Sequence, residues 1–529
     1  MGLTCRGVSV GAATPIAQRR AGAVTVKQAR PLVSAAWLAV AALTVLAAAI
    51  RFYRLGHQGF WFDEANTALL VQFSPGKMLG LLPHYESTPP LYYCIAWVWA
   101  RVFGYGETGL RSLSAVAGVL TVPVLYGAAS RLISVRAGVI AAALAACNPL
   151  LIWYSQEARS YQLLVLLSGV SLLAFAYLLE HPTARMAAAW VIACALALAT
   201  HYYAILVVVP EAAWLLYAHR RSRPARVAVG VVVLCGLALI PLAIGQELNG
   251  RSNWIAHTSL SARLGQIVPQ SVVGLVSPAY AVLEPLALAL AVFGVVLLFT
   301  RTAGLERRGA LVAGGIALGG LVLNLLLVAG GVDDLLTRNV IALWVPAAIA
   351  VAGGFAASRA RVVGAAAATA LCVIGLVAAV GVARDRILQR PDWRGVAALL
   401  GARPSGAAAT EGRAILVQHY KDLLPLKLYL PGLKFVPTHR TRVSELDVVS
   451  FTAPYGGLCW WGSACNLWGS RMQASYPIPG FRPVWRRRIY QFTVLHMVAV
   501  HGPVLVRAGQ IAKILTTTKM INNELVVQR

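Results

Sequence analysis

Long apolar runs separated by short polar linkers dominate this chain. The first is Leu32 to Ile50, and others follow at roughly 111–130, 137–153, 161–179, 186–200, 203–218, 226–244, 285–300, 309–330, 339–357 and 362–383. Each is near the ~20 residues that an α-helix needs to cross a hydrocarbon core, with Gly and Pro tolerated as is usual in membrane helices. Leu91 to Phe103 is different. It is only ~15 residues long with its flanks, is rich in Tyr and Trp, and contains Arg101, so it reads as a helix lying in or dipping into the membrane interface. That leaves about eleven spans.

The polar linkers alternate in charge. Arg131/Arg136, Arg185, Arg220/Arg221/Arg223/Arg226, Arg301/Arg307/Arg308 and Arg359/Arg361 fall in every second one. Residues 1–31, a basic N-terminus with Arg6, Arg19, Arg20, Lys27 and Arg30 and no acid, belong with them on the cytoplasmic side. The run after it has no small-residue cleavage site, so it is expected to stay as a first helix. Counting 90–104 as a full span would move the later arginine clusters outside, which is why it is placed in the interface. The membrane domain is then 32–383, with an outer loop over 51–110.

From Arg384 the chain becomes more polar. Pro391-Asp392-Trp393-Arg394 leads an expected helix, and Ala414–Val417, Asp447–Phe451 and Tyr490–Val494 read as strands. A small α/β domain outside the membrane over 384–498 follows, with 499–529 unassigned. The expected fold is therefore a polytopic α-helical membrane protein carrying a C-terminal extracytoplasmic α/β domain.

Composition agrees. Hydrophobic residues make up 58% of the 529 and charged ones 12%, and the mean hydropathy is +0.69. A soluble protein of this length could not hide that much apolar surface. The net charge of +27 comes largely from orientation clusters, and no basic face alternates with aromatics, so nucleic acid is not an expected partner. Cys94, Cys147, Cys194, Cys235 and Cys372 lie in apolar runs as small hydrophobes. Cys459 and Cys465 sit in a polar Gly- and Trp-rich loop, where an extracytoplasmic disulfide is expected.

Acids are scarce, 19 in all, and most of those in the membrane region fall in linkers opposite the arginine clusters. Asp63-Glu64 is followed by His84-Tyr85-Glu86, then Glu157-Ala158-Arg159-Ser160-Tyr161, Thr200-His201-Tyr202 and Asp333-Asp334 leading to Arg338. Taken singly, each stretch also fits interface anchoring, a helix cap or a local ion pair. Glu211 lies inside an apolar run towards the other face, away from this group. Together they meet the needs of sugar transfer from a lipid phosphate. A carboxylate (Asp63 or Glu64) would take the acceptor proton, and forked cations (Arg159, Arg338, Arg54) would hold the leaving phosphate. His84, Glu86, Glu157, Tyr161, His201 and Tyr202 could support the sugar or acceptor, and Glu86, Glu157 and His201 could also help hold a divalent metal, although their spacing identifies no metal site.

The ordered motifs resemble the GT-C glycosyltransferases, in the bacterial family 39 branch similar to protein O-mannosyltransferases and the lipid A aminoarabinose transferase. They are Arg51–Leu55 leading to Trp61–Ala65, Thr88-Pro89-Pro90-Leu91-Tyr92-Tyr93, Gly109–Ser114, Tyr154–Tyr161, His201-Tyr202 and Asp392-Trp393-Arg394. The resemblance covers roughly 35–400. It implies a polyprenyl-phosphate-linked sugar donor, inversion at the anomeric carbon, and Asp63 as the catalytic carboxylate, with Glu64 able to exchange roles. Many relatives carry His or Lys where this chain has Thr88 before the Pro-Pro pair. The expected function is glycosyl transfer to a protein, glycan or lipid acceptor at the extracytoplasmic face of the cell membrane. A transporter or flippase of lipid-linked sugar and a non-catalytic sugar-binding scaffold are the alternatives.

Overall fold

The computed structural model describes residues 26–401, 412–417, 423–430, 432–435, 440–451, 476, 478–507 and 524–528. Cys459 and Cys465 lie outside the described residues, and so does their expected disulfide.

The helices are α1 (Val26–Phe52), α2 (Phe62–Leu70), α3 (Pro75–Tyr85), α4 (Leu91–Phe103), α5 (Glu107–Leu132), α6 (Val135–Cys147), α7 (Pro149–Ser155), α8 (Tyr161–Glu180), α9 (Ala184–Thr200), α10 (Ile205–Ala218), α11 (Arg223–Glu247), α12 (Leu260–Val273), α13 (Tyr280–Arg301), α14 (Gly304–Ala329), α15 (Trp344–Phe355), α16 (Arg361–Arg384), α17 (Trp393–Leu400) and α18 (Leu423–Tyr429). Among the described residues, α1, α5, α8, α11, α13, α14 and α16 with its preceding turn are long and apolar enough to cross a bilayer, and α6 with α7 makes an eighth, bent span. The remaining expected runs form the shorter apolar helices α9, α10 and α15. The protein is a multi-pass membrane protein. Its connections alternate, so the arginine clusters share one set of connections, with Glu180 and Glu306 among them, and most of the other scarce acids fall in the opposite set.

The run 137–153 is the point where the structure departs from a simple span. It bends by 59° between α6 and α7. Pro149 has no N–H to return to the Ala145 carbonyl, and it holds Asn148 in an extended conformation (φ −69°, ψ 122°). Asn148 then caps α7 by accepting the Leu151 N–H at 3.0 Å. Arg51, buried at the end of α1, supplies the missing donors. Its guanidinium reaches the carbonyls of Ala145 (2.8 Å) and Ala146 (3.1 Å) and the Ser155 hydroxyl (3.0 Å), a cation at the negative end of a helix dipole. The bend turns the 155–159 segment beneath α2.

The short helices α2, α3 and α4 pack on one another through Phe60, Ala65, Met78, Leu82, Tyr92 and Tyr93. The aromatic run Leu91–Phe103 forms the thirteen-residue α4, one of the shorter apolar helices.

The C-terminal α/β domain carries β1 (Arg413–Val417), β2 (Leu433–Phe435), β3 (Arg440–Val443), β4 (Glu445–Phe451), β5 (Phe481–Ile489), β6 (Phe492–Ala499), β7 (Val504–Arg507) and β8 (Glu524–Gln528). A six-stranded sheet runs β2-β8-β1-β4-β6-β5, with β3 and β7 paired separately. Only β1 and β4 run parallel among the paired strands. Side chains alternate between faces as a strand requires. Ala414 and Leu416 enter one core, while Ile415 and Val417 meet Trp393, Val396 and Leu426 of α17 and α18 in the other. Two sequence expectations change. The run 490–494 straddles a tight β5–β6 turn at Tyr490 (φ 44°), and the stretch after 498 supplies β7 and β8, the latter between β2 and β1.

Candidate functional site

The turn from α1 into α2 carries the Asp63-Glu64 pair, both in the first turn of α2, where carboxylates suit the positive end of the helix dipole. Their surroundings differ. Glu64 is fully buried and takes a two-pronged ion pair from Arg111 (Nε 2.7 Å, Nη2 2.6 Å) together with the Ala158 N–H at 2.8 Å. Arg390 stands 3.9 Å away. Burial pushes the Glu64 carboxyl up, but Arg111, Arg390 and the Ala158 N–H more than offset it and hold it below the usual carboxylate range.

Two further acids are occupied in the same way. Glu86 receives both arms of Arg159 (2.8 and 3.0 Å) and the Asn66 amide (2.6 Å). Glu157 accepts from Arg390 Nη2 at 3.0 Å, and burial drives its carboxyl up despite that arginine. Arg390 also stacks on Trp153, 4.2 Å from the ring centre.

Asp63 is the exception among these four. Its side chain keeps 21% of its surface open and has Arg338 Nη1 at 3.6 Å, and Arg338 itself is 23% exposed. The Arg338 Nε meets no acceptor among the described residues, and its guanidinium lies 5.5 Å from the Trp254 ring centre. The loop presenting it is braced by the Arg263–Asp333 pair (2.6 and 2.8 Å) and by the Asn339 amide on the Asp334 carbonyl at 2.7 Å.

The remaining candidates divide. The Tyr161 and His201 rings meet at a 43° tilt with centres 5.6 Å apart, and Tyr154 lies 4.9 Å from Tyr161. Burial, followed by Arg159 and Arg338, pushes His201 down to about 3, so its imidazole is neutral, and its Nδ1 accepts the Tyr203 N–H at 3.3 Å. Tyr202 donates to Gln246 (2.8 Å), whose amide reaches the Leu82 and Thr88 carbonyls (3.3 and 3.2 Å). Gln246 therefore ties α11 to the outer loop, and Tyr202 holds its amide in place. Arg54 and His84 are exposed. Arg54 meets the nearby His57 ring. Arg159, also a phosphate candidate by sequence, has both arms taken by Glu86. No three His, Cys, Asp or Glu side chains converge as a metal site would require among the described residues.

Sequence reasoning did not single out Arg111 or Arg390. Arg111 lies inside a quoted motif as a lone cation at the start of an apolar run, which could have marked it as the partner of a buried acid. Arg390 offered no local signal. Glu211, inside α10, accepts from Trp190 Nε1 (2.8 Å) and Ser171 (3.2 Å) as a satisfied buried acid apart from the site.

The family model described as dolichyl-phosphate-mannose-protein mannosyltransferase matches residues 87–244. Among solved structures, the chain is similar to ArnT from Cupriavidus metallidurans bound to undecaprenyl phosphate, with 14% identity, a TM-score of 0.51, and 86% of this chain and 97% of that one covered. The apo form of that protein aligns at 18% identity and a TM-score of 0.44 over 70% of each chain. The Archaeoglobus fulgidus oligosaccharyltransferase in its apo form aligns at 12% and 0.41, over 71% of this chain and 59% of that one. No curated protein matches by sequence.

Proposed function

We propose, from a chain with the fold of the GT-C membrane glycosyltransferase ArnT and a partial match to the mannosyltransferase family, that this protein transfers a sugar from a polyprenyl-phosphate donor. The acceptor is a hydroxyl-bearing protein, glycan or lipid at the extracytoplasmic face. The observation that carries the reading is the state of Asp63, an accessible carboxylate beside a partly open arginine, among acids that are otherwise closed by ion pairs.

Asp63 takes the proton from the acceptor hydroxyl as its oxygen attacks the anomeric carbon. The bond from that carbon to the phosphate oxygen breaks, polyprenyl phosphate leaves, and a single displacement inverts the anomeric centre. Arg338 faces the charge that develops on the phosphate. Glu64, Glu86 and Glu157 hold the frame through Arg111, Arg159 and Arg390.

The test is reconstituted protein supplied with a labelled polyprenyl-phosphate sugar and a panel of acceptors. Wild type is expected to consume donor irreversibly. Asp63→Asn, at normal abundance, is expected to stop transfer. Full transfer by that variant overturns the assignment of the base, and movement of donor across the bilayer without consumption overturns the enzyme. Placement of the site is checked with Ser87→Cys, an exposed position, which is expected to react with an impermeant thiol reagent from outside.

A further inference from the structure

The Asp392-Trp393-Arg394 motif and the lone acid Glu107 play no part in the chemistry above, yet they meet at the loop leading to Asp63. Asp392 caps α17 by accepting the Gly395 N–H at 2.9 Å, Trp393 enters the core of the C-terminal domain, and Arg394 points at the membrane domain. Its guanidinium donates to the Gly56 carbonyl (3.3 Å), the His57 carbonyl and Glu107 Oε1 (3.2 Å). Tyr429, at the end of α18, accepts the Phe60 N–H at 2.7 Å and donates to the same Glu107 oxygen at 2.8 Å.

From the other side, Arg111 of α5 donates to the carbonyls of Leu55, Gln58 and Gly59 (3.1, 2.7 and 3.0 Å), while Arg390, ahead of α17, adds to the C-terminal flank by placing its N–H on the Gln58 side chain at 3.0 Å. The backbone from Leu55 to Phe60 is thus gripped by the membrane domain on one flank and by the C-terminal domain on the other. Leu424, Leu428 and Tyr429 also pack on the apolar cluster that includes Ala65 and Ala68 of α2. The fit is close at Gly59, where a Cβ would come within 3.0 Å of the Arg394 Cβ and 3.3 Å of the Tyr429 hydroxyl.

We propose that Arg394 and Tyr429, joined through Glu107, are positioning residues for Asp63, so that the C-terminal domain completes the active site of the membrane domain. This rests on the transferase reading above. A loop held on both flanks enters α2 in one register and fixes where the first-turn acid stands. Removing one flank leaves the buried Glu64–Arg111 pair intact and lets only the loop shift.

The experiment uses full-length protein in proteoliposomes, carrying Arg394→Ala, Tyr429→Phe or Gly59→Ala, the last a steric wedge that removes no hydrogen-bonding side chain. Since a displacement of about 1 Å at a reacting group can cost about 100-fold in rate, kcat is expected to fall about 10- to 100-fold while the donor KM stays within about twofold. Arg394→Lys is expected to recover part of the rate. Hydrogen–deuterium exchange, read on the same variants, is expected to quicken over 55–62 and stay unchanged over α8. Unchanged kcat with unchanged exchange overturns the proposal, as does a rate loss that merely tracks the folded fraction. If Asp63→Asn remains active, the transferase assignment fails, and the exchange data still decide whether the outer domain holds the loop.

Discussion

Asp63 and Glu64 are neighbours in one helical turn, and each faces an arginine, but the two regions they enter are built for different ends. Adjacent residues of an α-helix point about 100° apart, so Glu64 is aimed into the seam between α5 and the 157–159 turn while Asp63 faces the loop of Arg338. The first region is closed, with a buried fork at 2.6–2.7 Å and a backbone donor adding a third hydrogen bond. The second is unfinished, with a 3.6 Å separation and both side chains partly open. A fully buried carboxylate held by three donors resists change and is closed to an incoming acceptor or phosphate. The open pair remains accessible because its geometry is incomplete, and it stays in place because the closed pair next to it fixes the helix.

Substitutions at four positions break or sharpen this contrast. Asp63→Asn is expected to have the largest effect, lowering kcat by about 10²- to 10⁴-fold with no change in detergent melting temperature. A large stability loss would mean that Asp63 belongs to the frame after all. Arg111→Ala or Glu64→Gln strands one partner of a buried pair and is expected to destabilise by about 3–5 kcal/mol, read as a fall in melting temperature and in membrane abundance. Replacing both residues with apolar ones is expected to recover part of the loss. Arg338→Ala removes a charged donor, and a reduction of about 10- to 100-fold in kcat/KM for the donor is expected, with Arg338→Lys intermediate because it lacks the fork.

The smallest effect is one of pH. The Glu64 carboxyl is held below its ordinary 4.5, so its contribution to stability is full above that value and is lost as pH falls through the lower folded one. In the C-terminal domain, burial pushes the His496 imidazole down, but the Asp447 carboxylate at 2.7 Å more than offsets it and raises the proton affinity above the ordinary 6.5. Its contribution is full below 6.5 and is lost as pH rises through the folded value. Melting curves at pH 6 and pH 8 are expected to show a small fall at the higher pH that His496→Gln abolishes, and an equal fall in that variant would remove the role given to this pair.

Much of the frame was legible because membrane helices announce themselves. An apolar run near 20 residues has few alternatives in a bilayer, and each expected span appears as a helix or as a bent pair. The 59° break at Asn148-Pro149 was not legible in the chain, where 137–153 reads as one span, because it depends on Arg51 arriving from another helix to serve the carbonyls that Pro149 leaves open. The short strand β8 was illegible because five residues gain their identity only from the strands on either side.

The sequence by itself determined which few acids and arginines gather at one end of the bundle, because the order of spans and linkers decides which connections share a face. Only the tertiary structure decided their division of labour. Whether an arginine is a phosphate contact or a structural partner depends on which carboxylate lies within 3 Å of it. Arg159 met Glu86, Arg111 met Glu64 and Arg390 met Glu157, and those distances arise from the packing of segments up to 233 residues apart. Asp63 and Arg338 were left partly open by that same packing.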